Sequence, residues 1–272
     1  MHRSVRRTMK SVVERVLRTF GFEMYRLKPK PYQHLRTAPR YQETTVTLLG
    51  EEFRIPDSRS FYWSFNEIFV REIYRFSSSS TRPIIIDCGS NCGTSIVYFK
   101  SLFPESIITG VEPDPELFRL LKHNIVNRGY TDVTLLQGAI SNSSAPISFY
   151  HEGADGGRTR PLDIHKSVFD VEPVHLDDLI DEPIDFLKMD IEGSEAEAIC
   201  LSEKLGNVGQ LFIEYHSFKN SDQALGDMLN RLSSSGFRYY IHTQFCSDRP
   251  LTEEKLQLGM DLQLNIFANR QE

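Results

Sequence analysis

The sequence predicts an α/β fold, with a doubly wound sheet of seven strands that is mainly parallel and has an antiparallel C-terminal strand. From residue 83 onward, short apolar segments alternate with amphipathic segments of helical period, which is the pattern of βαβ units. The chain has 272 residues, 40% hydrophobic and 25% charged, enough for one sizeable core. We therefore predict a basic, helical N-terminal extension over residues 1–60 and the α/β domain over residues 61–272.

The extension differs from the rest of the chain in charge. Residues 1–30 carry a net charge of +7, whereas the remainder carries −13. Apolar residues at helical spacing predict one helix over residues 11–20 and another over residues 61–76. The first helix either packs on the domain or makes peripheral contact with an anionic membrane through residues 1–28, and liposome co-sedimentation distinguishes the two. The acidic body argues against a nucleic-acid partner.

The cysteines predict reduced thiols and a cytoplasmic location. They lie in or near apolar stretches and lack the paired spacing of a disulfide framework: Cys88, Cys92, Cys200 and Cys246. Structural zinc needs four closed ligands, so Cys88 and Cys92 alone do not predict a metal site. No apolar run approaches the roughly 20 residues of a membrane span.

The α/β elements follow one another in regular order. Strands are predicted at residues 84–87, 107–111, 133–137, 185–189 and 211–215. Helices are predicted at residues 94–103, 115–127, 194–203 and 222–234. Right-handed crossovers then place the loops that follow the strands at one edge of the sheet.

Two regions depart from this repeat. A polar, glycine-rich insertion over residues 141–174 contains small predicted strands at 147–150 and 174–176. The chain ends in strands at 237–242 and 262–268 with no helix between them, which predicts antiparallel pairing.

A glycine turn follows the first strand, in a D-x-G-x-N-x-G arrangement that starts at Asp87. Such turns bind ligands where the backbone and a helix N-terminus face the edge of the sheet. An acid at this position repels a pyrophosphate but accepts a hydrogen bond from an ammonium group, and the turn amides suit a carboxylate. The amino-acid part of S-adenosylmethionine carries both groups, although a tight turn with a helix cap gives a similar pattern. The predicted contacts are Asp87, Gly89, Ser90, Asn91, Gly93 and Thr94.

The next two strand ends predict the nucleoside part of the same site. Glu112, followed by Pro113, ends the second strand, where nucleotide-binding sheets hold a ribose diol with a carboxylate. Gly138 and Ala139 follow the third strand and leave space for an adenine ring, whose edge either Gln137 or the Ala139 amide reads. A turn glycine after a strand is the structural alternative.

Acids and a histidine gather at the fourth and fifth strand ends. Asp190 and Glu192 follow the fourth strand in D-I-E-G-x-E, and Glu214 and His216 end the fifth. A single such residue is often a helix cap. Since both strand ends lie at the predicted ligand edge, the group predicts a reaction site.

Together these segments resemble the FkbM family of S-adenosylmethionine-dependent methyltransferases. The matching segments are residues 86–93, 111–113, 138–140, 175–179, 187–195 and 214–216. The resemblance implies a Rossmann-like class I methyltransferase fold, S-adenosylmethionine as the donor, and O-methylation of a sugar, glycoconjugate or secondary metabolite. Cys88 and Cys92 depart from the family pattern. Residues 1–60 and 141–174 lie outside it, and we expect them to select the acceptor.

The implied reaction needs an aligned acceptor hydroxyl and a group that takes its proton. His216 is the predicted base, because an unperturbed histidine pKa near 6.5 suits neutral pH. Asp190, Glu192 and Glu214 are predicted to orient the acceptor or the donor's ammonium group. No metal is favoured, and the alternative is a divalent cation held by Asp190 and Glu214.

Two other functions share parts of this pattern. An NAD-dependent oxidoreductase has the strand, the glycine turn and the ribose acid, but the chain lacks the third glycine spacing of its binding motif. A non-catalytic nucleoside-binding module needs the glycines but not the acids at the fourth and fifth strand ends.

Overall fold

The computed structural model describes residues 31–151 and 167–270. The strands are β1 (Thr44–Leu48), β2 (Glu51–Ile55), β3 (Ile84–Cys88), β4 (Ile107–Glu112), β5 (Val133–Gln137), β6 (Ala139–Ile140), β7 (Ile147–His151), β8 (Ser167–Val171), β9 (Pro173–Val174), β10 (Ile184–Met189), β11 (Val208–Phe218), β12 (Phe237–Cys246) and β13 (Met260–Arg270). The α-helices are α1 (Ser58–Phe65), α2 (Thr94–Leu102), α3 (Pro115–Asn127), α4 (Leu176–Leu179), α5 (Glu195–Leu201) and α6 (Leu225–Ser234). Short 3₁₀ turns lie at Gln33–Thr37 and Leu205–Asn207.

The central sheet has seven strands in the order β12-β13-β11-β10-β3-β4-β5. The pairings among β5, β4, β3, β10 and β11 are parallel, and β13 inserts antiparallel between β11 and β12. Consecutive residues of β3 and β10 are buried, because helices cover both faces of a parallel sheet. The predicted doubly wound fold, including the antiparallel C-terminal strand, is confirmed.

Most predicted elements of the α/β region lie within a few residues of the observed ones, since their apolar period is local. In the insertion, the strand predicted at 147–150 is observed as β7, which pairs antiparallel with β8. The strand predicted at 174–176 is wrong at its end, because Leu176 begins α4 and only Pro173–Val174 pair, with β6. The helix predicted over residues 11–20 lies outside the described residues.

The helix predicted over residues 61–76 is too long. It ends at Phe65, and a single π-helical turn follows over Asn66–Val70. Glu72 has a positive φ of 54°, which ends any helical path. Phe76 then stacks on Phe186 of β10 with ring centroids 4.5 Å apart, so part of the aromatic pattern serves packing on the sheet.

The sequence gives no prediction of the hairpin β1–β2, which lies inside the predicted extension. Its strands pair antiparallel, with Val46 opposite Phe53. The side chain of Asn124 in α3 accepts a hydrogen bond from Arg54 N and donates one to Arg54 O, at 2.8 Å each. Residues from Leu35 onward cluster into one compact unit, so the boundary predicted at residue 60 falls inside α1 rather than between two units.

Within the described residues, no helix has the length and apolar character needed to cross a membrane. All four cysteines are free thiols.

Candidate active site

The loops after β3, β4, β5 and β10, together with the end of β11, border a cavity of about 790 Å³. Parallel strands bring these ends to one edge of the sheet. The volume lies in the upper part of the roughly 300–1,000 Å³ range of small-molecule sites. The predicted residues that line it are Gly89, Ser90, Asn91, Thr94, Glu112, Pro113, Gly138, Ala139, Asp190, Glu192 and Glu214. Asp87, Gly93, Gln137 and His216 are outside this lining.

The glycine turn packs directly on the end of β10. Gly89 has a φ of +82°, and a Cβ there would lie 1.8 Å from the carbonyl oxygen of Asp190. Only glycine permits both this backbone conformation and this approach. The turn and the loop after β10 therefore form one continuous part of the cavity wall.

The amides of this turn are already occupied. The acceptors are Val111 O for Gly89 and Ser90, Glu112 Oε2 for Asn91, Asn91 Oδ1 for Cys92, and Ser90 O for Gly93. The expectation that these amides are available to a ligand carboxylate is therefore wrong. The amides of Thr94 and Ser95, in the first turn of α2, have no acceptor among the described residues, and both residues line the cavity.

Asp87 lies behind the turn and forms a buried charge pair with Lys188 of β10. Its carboxylate is 3.3 Å from Lys188 Nζ and accepts a 2.5 Å hydrogen bond from Ser95 Oγ. Lys188 Nζ also donates to the carbonyl oxygens of Cys88, at 3.2 Å, and Gly89, at 2.5 Å. Burial by itself lowers the pKa of Lys188, but the carboxylates of Asp87 and Asp190 outweigh it and raise the pKa. Lys188 is therefore a cation that ties β10 to the glycine turn.

Glu112 is a buried carboxylate that lines the cavity. Its two oxygens accept hydrogen bonds from Asn91 N, at 2.8 Å, and from Asp114 N, at 3.0 Å. Burial raises the pKa of Glu112 to about 8, although these hydrogen bonds lower it. Each oxygen retains a second lone pair for a ligand hydroxyl.

Gly138 and Ala139, which follow β5, line the cavity, but the hydrogen-bonding groups predicted beside them are not available to a ligand. A Cβ on Gly138 would lie 2.7 Å from Val174 Cγ2, so the wall is closely packed here. Gln137 is exposed and lies outside the cavity lining. The Ala139 amide donates to Glu172 O at 3.0 Å, so it is not available to an adenine edge.

Glu195 organises the D-I-E-G turn after β10. Its Oε1 accepts hydrogen bonds from Ile191 N, at 3.2 Å, and Gly193 N, at 2.9 Å. Glu192 and Gly193 both have positive φ, 58° and 112°, so the turn needs this support. The last Glu of D-I-E-G-x-E is thus a buried acceptor that shapes the loop carrying Asp190 and Glu192.

His216 lies behind the cavity among carboxylates. Its Nδ1 is 2.9 Å from Glu195 Oε1, and its Nε2 is 3.8 Å from Glu192 Oε2. Burial lowers its pKa, but Glu192, Glu195 and Glu214 outweigh burial and raise it well above the ordinary value. These carboxylates favour the imidazolium form of His216, which argues against a base of ordinary pKa near 6.5.

Glu214 lines the cavity beside Asp190. Burial, followed by the charge of Asp190, raises the pKa of Glu214 well above its ordinary value. Gln263 of β13 donates a hydrogen bond to Glu214 Oε1. Glu214 therefore favours its protonated form, and Asp190 is the adjacent carboxylate open to the cavity.

A second arrangement could hold a cation. Asp190, Glu192 and His216 each place one potential ligand atom within 4.8 Å of the others. The sequence predicted Asp190 and Glu214 as the alternative cation ligands. The structure keeps Asp190 in such a group but places Glu192 and His216 beside it instead of Glu214. Because an imidazolium has no free lone pair, a cation would have to displace a proton from His216.

Lys188 is the site residue that sequence reasoning missed. A lysine in the middle of an apolar strand, flanked by Leu187 and Met189, was the available signal, since buried lysines are rare unless paired. Its partner Asp87 is about 100 positions away, so the pair itself was not readable from spacing.

The sequence profile of the family described as "Methyltransferase FkbM domain" matches residues 87–239. Methyltransferase sdnD of Sordaria araneosa is 25% identical over 171 residues, which cover 50% of this chain and 66% of that protein. The 2-O-methyltransferase NoeI of Sinorhizobium fredii (strain NBRC 101917 / NGR234) is 30% identical over 166 residues, which cover 53% of this chain and 65% of that protein. The matches thus span less than two thirds of the length of these curated relatives.

Two solved structures are also similar. Methyltransferase FkbM from Methylobacillus flagellatus KT is 22% identical, with 73% of this chain and 46% of that chain covered and a TM-score of 0.43. TYW2 of M. jannaschii, in complex with AdoMet, is 12% identical, with 86% and 89% covered and a TM-score of 0.49. The family profile extends from the end of β3 into β12 and includes more than half of the chain. The chain therefore belongs to the FkbM methyltransferase domain family.

Proposed function

We propose that the protein is an S-adenosylmethionine-dependent methyltransferase that methylates a hydroxyl oxygen of a sugar, glycoconjugate or secondary metabolite. One observation carries the proposal: a single cavity is lined both by the buried carboxylate Glu112, suited to a ribose diol, and by the acidic residues Asp190, Glu192 and Glu214. The first is a nucleoside-binding feature and the second a proton-handling one. A 2-O-methyltransferase among the relatives supports transfer to oxygen.

The residues present fit the donor. Glu112 provides acceptors for the ribose hydroxyls, and the free amides of Thr94 and Ser95 suit the donor's carboxylate. Lys188 donates a hydrogen bond to Gly89 O and pairs with Asp87, so Asp87 acts on the glycine turn through Lys188 and does not itself line the cavity. S-adenosylmethionine supplies a methyl group that its sulfonium has already activated.

Proton removal from the acceptor is assigned to Asp190. Glu214 favours its protonated form, and Glu192 and Asp190 each lie beside a cation, His216 at 3.8 Å and Lys188 at 3.7 Å. Asp190 is the more exposed of these two cavity-lining side chains, at 26% against 20% for Glu192, so it is the one assigned to reach the acceptor. Glu214 and Glu192 then orient the acceptor, and alignment contributes most of the rate.

The catalytic unit in this proposal begins near residue 35 rather than at residue 61. The hairpin β1–β2 is bonded to α3, and α1 supplies cavity-lining residues such as Trp63. Residues 35–60 therefore help to form the site, and the basic extension is confined to the preceding residues.

Replacement of Glu112 is expected to weaken binding of adenosylhomocysteine, the demethylated donor. At pH 9, where most of Glu112 is ionised, a hydrogen bond to its charged carboxylate contributes about 1.5–3 kcal/mol, so Glu112→Ala should lower affinity about 10- to 100-fold. Calorimetry measures this directly, with Glu116→Ala on the solvent side of α3 as the matched control. Binding of NAD in preference to adenosylhomocysteine would overturn the donor assignment.

The same binding is expected to strengthen as the pH rises. The pKa of Glu112 is about 8, and the ribose hydroxyls donate to its ionised form. A site of this pKa gains roughly tenfold in its ionised fraction between pH 7 and pH 9, and affinity should follow. Glu112→Gln cannot ionise, so subtracting its pH profile removes the titration of the ligand and of other groups. Parallel profiles for the two proteins would contradict the ribose role.

A further inference from the structure

One part of the cavity lining is basic and aromatic, in contrast to the acidic residues near Asp190. It consists of Arg40, Tyr41, Arg59 and Trp63, which we call the arginine–aromatic rim. Tyr41 and Trp63 are each 46% exposed although they line the cavity. All four residues lie outside the segment matched by the family profile, so the rim is a feature of this chain's own N-terminal region.

A buried carboxylate fixes the rim. Asp57 is fully buried and accepts hydrogen bonds from Tyr41 N, at 2.6 Å, and Arg40 Nε, at 3.0 Å. It is also the N-cap of α1, accepting from Ser60 N at 2.8 Å. Because α1 carries Arg59 and Trp63 in its first two turns, one side chain holds both halves of the rim in place.

Arg59 is the rim cation with no protein partner. It is exposed and makes no hydrogen bond or ion pair with residues 31–151 or 167–270. Arg40, by comparison, is bonded to Asp57 and lies over the Tyr41 ring at 4.6 Å. Guanidinium groups bind phosphate, sulfate and carboxylate through paired donors, and aromatic faces pack on ligand rings.

We propose that the rim binds an anionic group of the methyl acceptor, a phosphate, sulfate or carboxylate, while the acceptor's ring packs on Trp63 and Tyr41. This inference rests on the proposed function and adds the acceptor's charge to it. The carboxylates of Asp190 and Glu192 repel an anion, whereas Arg59 attracts one. The two charge patterns orient the acceptor with its anion at the rim and its hydroxyl toward Asp190.

Tryptophan fluorescence tests this proposal directly. Trp63 is the only tryptophan in the sequence, so any change in tryptophan emission comes from the rim. The protein of 272 residues is titrated with glucose 1-phosphate, glucose 6-sulfate and glucuronate, and with methyl glucoside as the neutral match, while tryptophan emission is recorded. Adenosylhomocysteine is present in a parallel series to block the donor site. At least one anionic probe is expected to give a saturable change in emission, at least tenfold tighter than methyl glucoside and weakened by added salt.

Variants assign the effect to the rim. Arg59→Ala is expected to reduce affinity for the anionic probe at least tenfold, Arg59→Lys to restore part of it, and methyl glucoside binding to stay unchanged. Arg82→Ala is the control, since Arg82 pairs with Asp132 and precedes β3 at the opposite edge of the sheet. Equal binding of neutral and anionic probes, no saturable change with any anionic probe at millimolar concentration, or an unaffected Arg59→Ala each overturns the proposal. Adenosylhomocysteine calorimetry on the same samples reports separately on the proposed function.

Discussion

Asp190→Asn is expected to lower turnover about 100-fold or more while adenosylhomocysteine affinity stays within a few-fold of the parent. The asparagine keeps the shape of the side chain but cannot accept the acceptor's proton, and loss of a general base typically costs 10²–10⁴-fold. Single-turnover methyl transfer from labelled S-adenosylmethionine measures the rate, and calorimetry measures the affinity.

Glu197→Gln is the matched control for this variant. Glu197 is an exposed carboxylate at the start of α5, close in sequence but outside the lining of the 790 Å³ cavity. Its turnover should equal that of the parent. Turnover of Asp190→Asn above a tenth of the parent rate would remove Asp190 as the base. Activity abolished by a chelator and restored by Mg²⁺ would favour the cation alternative instead.

The pH–rate profile separates Asp190 from His216. A histidine base of ordinary pKa gives an ascending limb near pH 6.5. In the structure, burial lowers the pKa of His216 but the surrounding carboxylates raise it well above that value, so no limb is expected near 6.5. A limb at that pH which disappears in His216→Gln would restore His216 as the base.

Lys188→Met is expected to give the largest loss of stability, about 3–5 kcal/mol, because it leaves the Asp87 carboxylate buried without its cation. Both side chains are almost wholly buried, 2% and 0% exposed. The variant also removes the bonds to Cys88 O and Gly89 O, so adenosylhomocysteine binding should weaken with it. Urea unfolding monitored by circular dichroism gives the free energy of unfolding.

A second buried lysine provides the control for this prediction. Lys100 of α2 is 5% exposed but bonds only carbonyl oxygens, of Pro104 and Ser106. Lys100→Met should therefore lower the free energy of unfolding by less, about 1–3 kcal/mol. The double variant Asp87→Asn with Lys188→Met should recover part of the loss, since neither charge is then left alone. No energetic coupling between Asp87 and Lys188 in this cycle would contradict the charge pair.

The sequence by itself determined the order and type of the main elements, because the periods of 2 and 3.6 residues are local. It also located most of the cavity, because Gly89, Glu112, Asp190 and Glu214 lie in or directly after strands whose carboxyl ends share one edge in any doubly wound sheet. This prediction needed only the rule that ligands bind at the carboxyl ends of parallel strands, and no distances between the residues. The hairpin β1–β2 was not predicted, because its two short strands lie within residues 1–60, which were interpreted as an extension.

What only the tertiary structure decided were the chemical states of these groups. The glycine-turn amides looked available, yet β4 and Glu112 occupy them. His216 looked like a base of ordinary pKa, yet Glu192, Glu195 (21 positions away) and Glu214 raise its pKa and favour the imidazolium form. Hydrogen-bond occupancy and pKa depend on burial and on charges brought together from distant positions, and neither is encoded in a local pattern.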